Sequence, residues 1–254
     1  MKEPKDPNND YLLENEWDYT QDEFYFPFMK ICREFKINPN QVFFHSQQNE
    51  DKYVIQKLLK EKIEDGVYLE VGAMDGLTYS NTKTLQDHFG FTGIMIEPVE
   101  HMYKKLLINR PKDKCYNFAV SNLDQNEVYY IGDNGESGIF DTINTDLNRY
   151  SKNWEKYSVK TQKLKNIIKS SGFEYIDFMF IDVEGGECDL LKSFDFSFPV
   201  YCIIIEASSK HKEKNKCFID ILKNNNFTYV ERLRGNQVWI NKNYFRKNLF
   251  KEIA

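Results

Sequence analysis

Apolar and polar positions alternate along this chain in two different rhythms. Short apolar runs appear at Val67–Val71, Gly93–Ile96, Cys115–Val120, Ile176–Val183 and Val200–Ile205. Runs of that length, bounded by Gly, Pro or acidic residues, predict buried strands. Between them lie stretches with helical spacing: Asp51–Lys62, Asn81–Phe89, Glu100–Asn109, Val159–Ser170, Glu187–Ser193 and His211–Asn224. Phe227–Leu233 and Gln237–Ile240, joined by Arg234-Gly235-Asn236, predict a hairpin. Glu127–Ile131 reads as one extra strand, and the Gly-, Asp- and Asn-rich stretch 132–151 as a long loop. Strand and helix alternating five times predict an α/β fold, a mainly parallel sheet wound with helices on both faces.

In such a sheet, ligands bind beyond the carboxyl ends of the strands. Four strand ends carry acids. Glu70 ends the first, followed by Gly72-Ala73-Met74-Asp75-Gly76. Glycines let a backbone turn sharply against a ligand, although an ordinary strand–helix turn uses them too. The G-x-G-x-x-G pattern expected of a dinucleotide fold is absent. Glu97 ends the second strand, where an acid can accept both ribose hydroxyls of a nucleoside, or simply favour the next helix N-terminus. Ser80-Asn81-Thr82 opens a helix, as a cap or as a source of backbone donors for a ligand carboxylate. Asp182, Glu184 and Glu187 crowd the fourth strand end, and Glu206 closes the fifth. Like charges that close raise each other's pKa unless a cation intervenes. That cation is a substrate group, a basic side chain or a divalent metal on Asp182, Glu184 and Glu206. Asp182 is the first candidate for a base or acceptor-orienting group. His211 is a second, although a histidine in so polar a stretch is ordinarily solvated.

Composition narrows the function. Net charge is −5, which disfavours a nucleic-acid partner. With 41% apolar residues the chain can bury a sizeable core. Residues 1–10 read as a disordered lead, and the aromatic, acidic stretch 11–45 as a helical cap or partner-binding arm. No run is long enough to span a membrane, and no signal peptide is evident. The five scattered cysteines, Cys32, Cys115, Cys188, Cys202 and Cys217, read as reduced residues of a cytoplasmic protein. Oligomeric state is left open.

These motifs together resemble the FkbM family of methyltransferases from about Phe44 to Ile240. Ser46-Gln47 with Asp51-Lys52-Tyr53-Val54 is similar to the family's lead-in. Glu70–Gly76 with Ser80-Asn81-Thr82 resembles its glycine loop, and Phe91–Pro98 its second strand with Phe91 in place of the usual Trp. Asn117–Ser121 resembles the third-strand segment, and Ile181–Glu187 matches I-D-V-E-G-x-E in full. The resemblance implies a Rossmann-like class I methyltransferase fold over 46–254, with a seven-stranded sheet ending in an antiparallel hairpin. It implies S-adenosylmethionine held by Glu70, Gly72, Ala73, Asp75, Gly76, Ser80, Asn81, Glu97, Ala119 and Asp182. It also implies methyl transfer to a hydroxyl of a sugar, glycan or small molecule, with Asp182, Glu184 and His211 as the catalytic candidates. An RNA ribose methyltransferase drawing on Lys83, Lys104 and Lys210 is one alternative. A non-catalytic module that binds the cofactor or a partner is another.

Overall fold

A computed structural model describes residues 7–8, 22–122, 127–132, 137–139, 155–207 and 212–251. Strands β1 (Val67–Val71), β2 (Thr92–Ile96) and β3 (Lys114–Tyr116) pair in parallel. On the other side of β1 lie β8 (Ile176–Ile181) and β9 (Val200–Glu206), also parallel. β11 (Asn236–Asn241) then runs antiparallel against β9, and β10 (Phe227–Leu233) closes the edge. The order β10-β11-β9-β8-β1-β2-β3 places β1 in the middle of the five parallel strands, between β8 and β2, where the winding reverses. This is the predicted doubly wound, seven-stranded sheet.

Strand periodicity splits the core in two. Tyr68, Met95, Phe178, Phe180 and Ile204 face one layer. That layer includes α1 (Asp22–Phe35), α3 (Lys83–Phe89) and Leu106 of α4 (Glu100–Asn109). Leu69, Ile94, Met179, Ile203 and Trp239 face the other. It is built by α5 (Leu164–Ser171), α6 (Glu187–Lys192) and α7 (Lys212–Asn224). Phe28, Ile31 and Cys32 of α1 are buried in the first layer. Burial of several such side chains, each worth about 1.5–3 kcal/mol, is what seats α1.

The chain departs from its local pattern in four places. Cys115–Val120 is not one strand: β3 stops at Tyr116 and β4 (Ala119–Val120) starts a second sheet. Asn117 makes the break, donating from Nδ2 to the Glu97 and Pro98 carbonyls at 2.9 and 3.0 Å. The expected helix from Val159 is shortened, because β7 (Glu155–Gln162) pairs with β5 (Glu127–Gly132), which also holds β6 (Ser137–Ile139). The expected helix 51–62 is α2 (Glu50–Tyr53) followed by a π-helical turn, Val54–Leu58. Finally, Cys188 of α6 and Cys217 of α7 are joined as a disulfide, with Cα atoms 5.8 Å apart, so the reading of all five cysteines as reduced is corrected for these two. Cys32, Cys115 and Cys202 are free thiols. Among the described residues no helix is long and apolar enough to cross a membrane.

Candidate active site at the carboxyl edge of the sheet

Glu70 sits in the fully buried strand β1, 2% exposed. A carboxylate there requires donors. It accepts from Ser80 Oγ at 2.9 Å, Thr82 Oγ1 at 2.6 Å and the Asn81 amide at 2.7 Å. Burial pushes its pKa up, while the Arg110 charge and these donors pull it down. Glu70 therefore faces the chain, not the cleft. The backbone donors expected to be open at the start of α3 are engaged as well: Asn81 by Glu70, and Thr82 and Lys83 by Ser80 Oγ at 3.3 and 3.2 Å. Ser80 thus caps the helix from outside, which is why α3 starts at Lys83 and not at Asn81.

Below this loop lies Arg110, which no sequence motif announced. Its side chain is fully buried. It donates to Thr82 Oγ1 (2.6 Å), Ser80 Oγ (3.1 Å), the Gly76 carbonyl (3.0 Å), Tyr68 OH (2.8 Å) and Asp113 Oδ2 (2.8 Å). Tyr68 OH in turn donates to Asp113 at 2.8 Å. The loop after β1 is thus floored by one polar network, each of whose charges has a partner.

Gly72 and Gly76 are required sterically. Gly72 has φ +88°, and a Cβ would lie 2.1 Å from the Asp182 carbonyl oxygen. Asp182 N donates to the Val71 carbonyl at 3.2 Å, so the exits of β1 and β8 touch. A Cβ on Gly76, at φ +75°, would lie 2.6 Å from Arg110 Cγ. Asp75 folds onto its own turn, accepting from the amides of Leu77 (3.0 Å) and Thr78 (2.7 Å). Burial raises its pKa, but these donors outweigh it and the net shift is downward. Ala73 and Ala119 are both buried. Ala119 packs with Val99, Val128, Ile139 and Val159.

Glu97 is different. It is 4% exposed, and its two oxygens each accept one main-chain donor, Met74 N and Val99 N, both at 2.8 Å. Burial pushes its pKa up to about 7; the two amides lower it, and the charge of nearby Asp75 raises it further. Beside it a cleft of about 710 Å³ opens between α4, the β3–β4 bend and β7, lined among others by Pro98, Val99, Asn117, Phe118, Lys104 and Lys160.

At the exits of β8 and β9 the acids converge. Oxygens of Asp182, Glu184 and Glu206 lie within 4.8 Å of one another, a spacing that oxygen ligands of one cation can adopt. Asp182 is exposed and the two glutamates half-buried. Crowding by the surrounding protein nevertheless raises the Asp182 pKa through desolvation. Glu206 is raised well above the carboxylate range by burial, then by Asp182, Glu187 and Glu184, with Arg232 opposing. Glu187 is buried, its pKa raised by burial, and it accepts from the Gly185 amide at 3.0 Å. His211 and Lys210 lie outside the described residues. Lys83 is ion-paired to Asp87 and Lys104 to Glu100. Two residues that sequence reading passed over, Gln48 and Glu50, also reach this end. Their only signal was their position inside the lead-in that carries Ser46 and Asp51.

Solved structures similar to this chain include a fibrillarin pre-rRNA processing protein from Methanococcus jannaschii, at 17% identity over 80% of this chain and 76% of that one, with a TM-score of 0.43. A TehB-like SAM-dependent methyltransferase from Corynebacterium glutamicum shares 8% identity over 79% and 89%, with a TM-score of 0.41. No curated protein matches the sequence. Residues 70–235, running from Glu70 to the hairpin turn beside Glu206, match the family model described as "Methyltransferase FkbM domain". With the glycine loop, Glu97 and the acidic run all inside that match, the chain belongs to the FkbM family of S-adenosylmethionine-dependent methyltransferases.

Proposed function

We propose that the protein transfers a methyl group from S-adenosylmethionine to a hydroxyl of a sugar, glycan or small molecule. The observation that carries the cofactor half is Glu97. It is a buried carboxylate whose donors among the described residues are two main-chain amides, and whose pKa is raised by burial and further by the charge of Asp75. A pair of ribose hydroxyls supplies the missing donors. In this reading Glu97 holds the ribose, and the Gly72–Met74 turn and Asn81 line the path between the exits of β1 and β8. The cleft beside Pro98 and Phe118 takes the base. Glu70, Ser80, Asp75 and Gly76 act through the loop they fix. When bound, the cofactor supplies a methyl group activated by its sulfonium.

The acceptor half is assigned to the acids of β8 and β9. Asp182, exposed at the exit of β8, accepts a hydrogen bond from the acceptor hydroxyl and takes up its proton at a carboxylate oxygen. Its raised pKa makes it a stronger base than an ordinary aspartate. Glu184 and Glu206 orient the acceptor through its remaining hydroxyls. The acidic lining and the net charge of −5 favour this acceptor class over RNA.

Isothermal titration with S-adenosylmethionine tests the cofactor half, and absence of binding at millimolar ligand would sink it. Labelled-methyl transfer across nucleotide-sugars, glycans and capped RNA tests the acceptor. Incorporation into RNA alone would overturn the acceptor assignment. Activity abolished by exhaustive chelation would reassign Asp182, Glu184 and Glu206 to a divalent metal.

A further inference from the structure

The stretch from His45 to Glu50 lies upstream of the matched domain yet spans its carboxyl edge. One end is pinned near β1. Ser46 forms a parallel bridge with Tyr79. Asp51, fully buried, accepts from His45 N at 2.7 Å, Ser46 Oγ at 2.5 Å and Thr84 Oγ1 of α3 at 2.5 Å. The other end clasps the β10–β11 turn. Gln48 Oε1 accepts from the Gly235 amide at 2.6 Å, and Glu50 Oε1 from Asn236 Nδ2 at 2.6 Å. A Cβ on Gly235 would lie 2.7 Å from Gln48 Oε1, so the Gln48 side chain packs directly against this turn.

The clasped turn carries the acceptor half. The Gly235 carbonyl accepts from Ala207 N at 2.9 Å, and Ala207 follows Glu206 directly. Asn236 lies opposite Glu206 in the β11–β9 register. Arg232 Nη2 donates to the Ala207 carbonyl at 2.6 Å from β10. Two hydrogen bonds therefore separate Gln48 from the backbone that presents Glu206. Glu50 and Asn236 are each 5% exposed, so their bond is made out of water, where a lost partner is costly. The Asp182 charge acts on Glu50, which places the strap and the acid cluster within one electrostatic neighbourhood.

We propose that Gln48 and Glu50 are positioning residues for methyl transfer: through Gly235 and Asn236 they fix where Glu206 and Ala207 stand relative to Asp182. This rests on the acceptor-half reading given above. It assigns to the lead-in ahead of residues 70–235 the task of shaping the acceptor side, while cofactor binding stays with the β1–β2 side.

The test uses the full chain with Gln48→Ala, Glu50→Ala and Glu50→Gln, probed with S-adenosylhomocysteine. Amide hydrogen exchange at Ala207 and Gly235 is expected to quicken about tenfold or more in both alanine variants, with S-adenosylhomocysteine affinity within about twofold of the parent. Glu50→Gln keeps an oxygen for Asn236 Nδ2, and is expected to return exchange to within about threefold of the parent. In the labelled-methyl assay the alanine variants lower kcat while the cofactor KM holds, and Glu50→Gln recovers most of it. Unchanged exchange at Ala207 and Gly235 overturns the proposal. So does exchange that quickens equally through β1 and β8, or cofactor-product affinity that falls in parallel. A parent protein that does not bind S-adenosylhomocysteine at all counts against the functional reading, while the exchange comparison still decides the clasp.

Discussion

The two halves of the sheet's carboxyl edge treat their acids in opposite ways. On the β1–β2 side each carboxylate is met by donors from the chain: Glu70 by three, Asp75 by two backbone amides and Thr78 Oγ1, Glu97 by two amides. On the β8–β9 side oxygens of Asp182, Glu184 and Glu206 lie within 4.8 Å of one another, and burial, then the charges of Asp182, Glu187 and Glu184, raise the pKa of Glu206. In the proposed reading, acids held by donors of the chain make a rigid cradle for the cofactor. Crowded acids keep a reactive environment for a group that brings its own donors or charge.

The severest way to break this contrast is to remove the network under the cradle. Arg110→Met leaves Glu70 and Asp113 buried without their cation, and should cost about 3–5 kcal/mol in denaturant unfolding, with cofactor binding lost in any folded fraction. A loss below about 1 kcal/mol would mean the cradle does not depend on Arg110. On the acceptor side the corresponding brace is the Cys188–Cys217 bond, which joins the helices that follow β8 and β9 and spans 29 residues of sequence. Loop-closure entropy predicts about 3 kcal/mol of stability lost on reduction, read as a lower melting temperature in dithiothreitol than without it. Identical melting, or five free thiols instead of three counted by mass spectrometry in the purified protein, would remove the brace.

Smaller effects sharpen the assignment of roles. Asp182→Asn should lower turnover about a hundredfold or more while S-adenosylhomocysteine affinity changes little, because it removes a proton acceptor and keeps the shape. Full turnover would exclude Asp182 as the base. The smallest effect concerns Glu97. Its carboxyl titrates near 7, and its charged form is the better acceptor for ribose hydroxyls. Cofactor affinity should therefore rise about tenfold from pH 6 to pH 8, with proton release on binding. The sign for stability is opposite. Glu97 and Glu50 have folded-state pKa values of about 7, raised above 4.5, so the unliganded protein loses their contribution as pH climbs from about 4.5 through 7. Calorimetry in buffers of different ionisation enthalpy checks the first, and melting against pH the second. Affinity flat across this range would place Glu97 outside the ribose site.

Local pattern carried the sequence reading a long way. Five buried runs became β1, β2, β8, β9 and, in part, β3, since burial on both faces selects apolar residues throughout. The acids at their ends are visible because an acid closing an apolar run is unusual in itself. Val159–Ser170 misled because Val159, Leu164, Ile167 and Ile168 include a helical stripe, whereas pairing with β5 up to Lys160 and with β4 at Thr161 and Gln162 takes the first residues into β7. Edge and pairing context overrides propensity in strands.

By itself, the sequence determined the alternating architecture, the glycine loop and the acids at four strand exits, all set by neighbours within a few positions. Tertiary structure alone decided which of those acids turn inward and which stay open. It brought Arg110 from the end of α4 beneath Ser80 and Thr82, joined Cys188 to Cys217, and carried Gln48 and Glu50 to the turn beside Glu206. Each of these contacts joins residues far apart along the chain. What fixes them is the order of the strands and the cost of burying a charge without a partner, and neither leaves a period in the sequence.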